Sequence, residues 1–117
     1  MSRRTQRVGE LLQSELSQLI LRSLQDPRVR MTSVAAVDVS PDLRRAVVRI
    51  SVLDESQRQD SLTALRHAAG FLRRQLASRL RHMRVIPELI FELDRGAEHS
   101  QRISDLLERL HDNNQSP

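Results

Sequence analysis

"RHAAGFLRRQLASRLRHMR", residues 66–84, holds six arginines, two histidines and no acidic residue, with a single glycine, Gly70, set inside a helical pattern. Leu62, Leu65, Ala69, Leu72, Leu76 and Leu80 recur at spacings of three and four and mark one apolar stripe. Around a continuous helix His67, Arg74 and Arg81 project opposite that stripe, and Arg66 and Arg73 flank it. The leucines therefore attach the helix to a core, and the arginines form its outer surface. A glycine inside a helix costs ~1 kcal/mol relative to alanine, and Phe71, one of two aromatic residues in the chain, falls off the leucine stripe. Both predict a break at Ala68-Ala69-Gly70 that re-aims the second half and lets Phe71 pack inward. The alternative is an unbroken helix in which Gly70 permits close packing.

The segments on either side supply the rest of an α+β pattern. Val8, Leu11, Leu12, Leu16, Leu19 and Ile20 form a helical stripe from about Thr5 to Leu24, ended by Asp26-Pro27. "MTSVAAVDVS" places Ala35, Val37 and Val39 on one face of a strand, and Ser40-Pro41-Asp42 reads as a turn. "RRAVVRISVL" then alternates Ala46, Val48, Ile50 and Val52 with Val47, Arg49 and Ser51, so the two strands should form a hairpin. "DESQRQD" is a polar loop with Asp60 or Ser61 placed to cap the basic helix. After Pro87, Leu89, Phe91 and Leu93 mark a third strand. Past Arg95-Gly96, Ile103, Leu106, Leu107 and Leu110 mark a last amphipathic helix before a polar tail expected to be disordered. The expected order is helix, strand, strand, helix with a break, strand, helix, giving a three-stranded sheet with helices on one face.

Composition bounds the function. A chain of 117 residues is one domain on length, and no apolar run approaches the ~20 residues that span a bilayer. The N-terminus has no signal-peptide pattern and cysteine is absent, so a cytoplasmic protein without disulfides or thiolate chemistry is expected. The three glycines, Gly9, Gly70 and Gly96, cannot build a phosphate-cradling loop. The four histidines, His67, His82, His99 and His111, lack zinc-ligand spacing. The chain reads as a non-enzyme with no metal or cofactor.

Charge is the informative feature. All nineteen basic residues are arginine, and the net charge is +4. Residues 61–87 carry six arginines and no acid, whereas 88–117 carry seven acids and three arginines. A solvated helix face is the plainer reading of a charge run, but clustered like charges repel, and phosphate relieves that repulsion. With no Trp or Tyr for base stacking, phosphate contacts on structured RNA are favoured over reading of a free strand. A basic helix on an anionic membrane is opposed by the need for its leucines in the core. A protein-interaction module using the acidic C-terminal helix is a further alternative.

"RVGELLQSELSQLI", "DPRV", "VDVSPDLRRAVVRISVL" and "HAAGFLRRQLASRLRHMRVIPELIFELD" resemble, in this order and spacing, bacterial ribosome-binding factor A, over about Arg3 to Leu107. The resemblance implies a type II KH fold, helix-strand-strand-helix-kink-helix-strand, over residues 1–96, followed by a C-terminal helix and tail over 97–117. It further implies an Ala-x-Gly kink, here Ala68-Ala69-Gly70, in place of the RNA-clamping loop of other KH domains. The implied role is binding of 16S rRNA in the free, immature small ribosomal subunit, with assistance to late maturation and 5'-end processing, association with growth in the cold, and no catalysis. The implied protein is a monomer that touches ribosomal proteins as further partners and avoids membranes. A general KH-type binder of structured RNA is the nearest alternative. The RNA role carries onto Arg66, Ala68, Gly70, Arg73, Arg74, Arg79 and Arg81, and onto Arg4, Arg7, Arg44 and Arg45. Changing Arg73 and Arg74 together to Glu should abolish subunit binding and leave the fold intact. The lysines that often share this basic face in the family are absent here.

Overall fold

A computed structural model of the chain describes residues 2–95, so the expected helix at Ile103–Leu110, the tail and the 97–117 segment lie outside the described residues. Helix α1 spans Arg3–Ser23, strand β1 Thr32–Val39, strand β2 Arg45–Val52, helix α2 Arg58–Arg79 and strand β3 Glu88–Leu93. The sheet order is β1-β2-β3, with β1 and β2 antiparallel and β2 and β3 parallel. Helix α1 lies over β1 and α2 over β3. The α+β order and the three-stranded sheet expected from the sequence are therefore present.

The core forms where the apolar stripes meet the sheet. Leu12, Leu16 and Leu19 of α1 and Leu65, Leu72 and Leu76 of α2 close over Ala46, Val48, Ile50 and Phe91. Ser2 caps α1, its hydroxyl accepting the Thr5 N–H at 3.2 Å. One contact sets the closeness of α1 to the sheet: a Cβ on Gly9 would lie 2.6 Å from the Val37 carbonyl oxygen, so only glycine fits there.

Three expectations need correction. The Ala35/Val37/Val39 alternation is interrupted by a bulge between Val34 and Ala36; Val34 is buried and Ala35 exposed, because an extra residue flips the face. The Gln13 amide donates to the Val34 and Ala35 carbonyls at that bulge, both at 3.2 Å. Neither Asp60 nor Ser61 caps α2, which begins earlier. Instead Asp54 caps a short 3-10 turn at Glu55–Gln57, and Ser61 is fully buried with its hydroxyl donating to the Arg28 carbonyl. Helix α2 runs unbroken for 22 residues through Gly70, and Phe71 reaches the edge of the core without an interruption. The buried leucines on both sides, Leu65 and Leu72, hold the helix against the ~1 kcal/mol cost of one glycine.

Candidate nucleic-acid interface

The arginines of α2 divide by what their guanidinium groups already hold. Arg73 donates from Nε and one Nη to the Ile86 carbonyl at 3.1 and 2.8 Å, fixing the chain that leads into β3. Arg66 donates to the Phe91 carbonyl at 3.1 Å. Arg79 pairs with Glu15 at 2.6 Å and with the Gln18 amide oxygen at 3.1 Å, joining α2 to α1. These three tie the fold together, so a change at Arg73 disturbs structure as well as surface. Replacing Arg73 and Arg74 together is therefore a poor test of binding alone.

Arg74 and Arg81 are exposed and have no ion pair or hydrogen bond among the described residues. Arg81 lies just beyond the end of α2. Gly70 is exposed, and a Cβ placed on it would meet only the Arg74 guanidinium, at 3.4 Å. Close packing against another element therefore does not explain the glycine. Its bare backbone lies beside a free cation on the outer face of the helix, with Ala68 half-buried two residues before it.

A second group gathers at the opposite end of the sequence's basic pole. Arg4 and Arg7 from α1, Arg44 from the β1–β2 turn and Arg84 from the loop after α2 line a cleft of about 590 Å³. Its apolar lining comes from Val8, Leu11, Leu43, Met83 and Val85, and His82 also borders it. Asp42 is the single carboxylate in the lining. It accepts the Ser40 hydroxyl at 2.6 Å and the Arg44 N–H at 3.1 Å, and these bonds hold its pKa below the usual value. Arg45 is exposed at the start of β2, outside this lining. The residues missed by sequence reading are Leu43, His82, Met83, Arg84 and Val85. Arg84 stood within the basic pole, but the approach of residues 82–85 to the start of α1 is a tertiary fact with no local signal.

Among the described residues no cluster of three or more His, Asp or Glu is arranged to hold a metal ion, and no helix is long and apolar enough to cross a membrane.

The family model described as "Ribosome-binding factor A" matches residues 4–107. Ribosome-binding factor A of Thermomicrobium roseum is 44% identical over 110 residues, 93% of this chain and 84% of that protein. The Solibacter usitatus protein of the same name is 46% identical over 108 residues, 92% and 87% of the two chains. The crystal structure of ribosome-binding factor A from Thermus thermophilus superposes with a TM-score of 0.70 at 32% identity, covering 79% of this chain and 98% of that one. A homology model of the same Thermus protein, fitted into a cryo-electron microscopy map of a complex with the 30S subunit, gives a TM-score of 0.63 at 34% identity, covering 74% and 90%.

Proposed function

The chain belongs to the ribosome-binding factor A family, and we propose that it binds the free small ribosomal subunit through 16S rRNA phosphates and assists late maturation of that rRNA, including its 5' end, without catalysing a reaction. The single observation that supports this most is the set of arginines without carboxylate partners among the described residues: Arg74 and Arg81 on and after α2, and Arg4 and Arg7 at the cleft. A cationic face whose charges are not already neutralised is what phosphate binding requires. The fitted 30S complex of the Thermus protein supports the choice of subunit. Gly70 exposes helix backbone beside Arg74, which allows a sugar-phosphate chain to approach closely, and Ala68, half-buried against the core, keeps the neighbouring position small. Arg66 and Arg73 on the β3 side of α2 and Arg79 on its α1 side keep spare donors while their remaining donors hold the fold. Arg45, exposed at the start of β2 next in sequence to Arg44, adds a further cation at the turn. In this reading the protein is a cytoplasmic monomer with a KH-type surface that acts on RNA already folded into the subunit.

Cosedimentation with purified small subunits, large subunits and whole ribosomes across a salt series tests it. Selective pelleting with free small subunits that weakens as salt rises is expected, together with its loss in Arg74→Glu/Arg81→Glu. Equal pelleting with every particle would instead indicate a general RNA binder, and no pelleting would reject RNA as the partner.

A further inference from the structure

We infer that the cleft between the start of α1, the β1–β2 turn and the loop after α2 holds one unpaired nucleotide of an RNA strand, base inward against the aliphatic floor and phosphates on the arginine rim. This deepens the RNA-binding reading and rests on it.

The volume of about 590 Å³ lies inside the ~300–1,000 Å³ range of sites that enclose small organic groups. A duplex backbone needs only the cations, and a floor of Leu43, Met83 and Val85 between them would gain nothing from it. An unpaired base brings an apolar face to that floor and charged oxygens to the rim at once. None of the four rim arginines forms a salt bridge among the described residues, and the one carboxylate, Asp42, already accepts the Ser40 hydroxyl and the Arg44 N–H and feels the Arg44 charge alone. Imidazole and guanidinium planes both stack on bases, so His82 and the rim arginines supply the platform that Trp or Tyr gives elsewhere.

Two features shape the apolar lining of the cleft. Val85 is 57% exposed, a large apolar side chain left in water at the lining. Leu43 has φ 61, the left-handed region that a bulky side chain rarely occupies, and the turn fixes it there through Leu43 N–H to Ser40 C=O at 2.9 Å and Ser40 N–H to Arg45 C=O at 2.9 Å. Glycine would satisfy that backbone without strain, and leucine in its place gives the cleft an apolar wall.

The test is fluorescence anisotropy of the full-length chain with three probes: a labelled single-stranded RNA decamer, the same strand with abasic riboses at its centre, and the decamer as a duplex. The intact strand should bind about tenfold more tightly than either of the other two, the scale of one base contact. Leu43→Gly/Val85→Ser should erase that preference, and Arg44→Gln/Arg84→Gln should weaken all three probes while leaving circular dichroism unchanged. Equal binding of intact and abasic strands would overturn the inference, as would a preference that survives Leu43→Gly/Val85→Ser. So would nuclear Overhauser contacts between the methyls of Leu43 or Val85 and those of Leu106 or Leu107 in the free protein, which would make residues 97–117 the occupant. Cosedimentation of the same variants separates the two readings: wild type that fails to pellet with small subunits sinks the ribosomal role, whatever the oligonucleotide preference shows.

Discussion

Gly9 stands against the backbone of Val37, with no room for so much as a methyl group between α1 and β1. Because the obstruction is a strand carbonyl and not the tip of a flexible side chain, Gly9→Ala should push α1 off the sheet and destabilise the fold by about 2 kcal/mol, in the range of overpacked cores. Gly70→Ala should do the opposite, stabilising α2 by up to about 1 kcal/mol through helix propensity. Paired chemical denaturation curves check both signs. If the bare backbone at Gly70 serves RNA, Gly70→Ala should also weaken small-subunit binding despite its greater stability.

Arg73 and Arg74 are neighbours with different work. Arg73→Ala should cost about 1 kcal/mol, since the Ile86 carbonyl loses a two-pronged partly buried charged donor. Arg74→Ala should leave the denaturation midpoint unchanged and lower small-subunit affinity with a shallower salt dependence. Measuring unfolding and binding on the same two variants separates the roles; a midpoint that moves equally for both would contradict the assignment.

The sequence carried some of this arrangement and could not carry the rest. Alternation of Ala46, Val48, Ile50 and Val52 defined β2 because every odd step lies on the open face of a regular ladder. The same logic misplaced Ala35, since a bulge inserts one residue without leaving a local mark. The leucine stripe of α2 was legible in the same way. Its arginines were legible as charge but not as partners: Arg66 reaches a carbonyl 25 residues along the chain, and Arg79 a carboxylate 64 residues back. The cleft was legible only as Arg4, Arg7 and Arg44, because its floor assembles from three segments that meet after folding.

Ser61→Ala should destabilise the protein by about 1 kcal/mol, the net worth of one partly buried hydrogen bond. Ser61 is wholly buried and its hydroxyl bonds the Arg28 carbonyl, which ties the 3-10 turn at Pro27–Val29 to α2. Faster amide exchange at Val29 and Arg30 in this variant would locate the loosening at that tie.

Acid should weaken the fold in a defined window. The Arg28 side chain and backbone N–H hold the Asp26 pKa at about 2, and hydrogen bonds from Ser40 and Ser56 lower those of Asp42 and Asp54. A carboxylate whose folded pKa lies below its unfolded value of ~3.9 contributes stability that is full above that pH and lost as pH falls toward the folded value. The thermal midpoint should therefore decline between about pH 4 and pH 2 from these groups, and less steeply in Asp26→Asn. Carbon-detected titration of the carboxyls checks the order, with Asp26 protonating near pH 2.

Two side chains, Gln13 of α1 and Arg66 of α2, reach from the helices to the outer strands at the rims of the sheet. Gln13 occupies carbonyls of β1 at its bulge, and Arg66 occupies the Phe91 carbonyl of β3, whose neighbours on that strand turn their N–H groups toward β2. A three-stranded sheet has two open rims, each a template on which another chain could extend the ladder. With an amide at one and a guanidinium at the other, an incoming strand finds an acceptor already taken on either side. Each outer strand thus offers an incoming chain fewer open acceptors than its length alone would give.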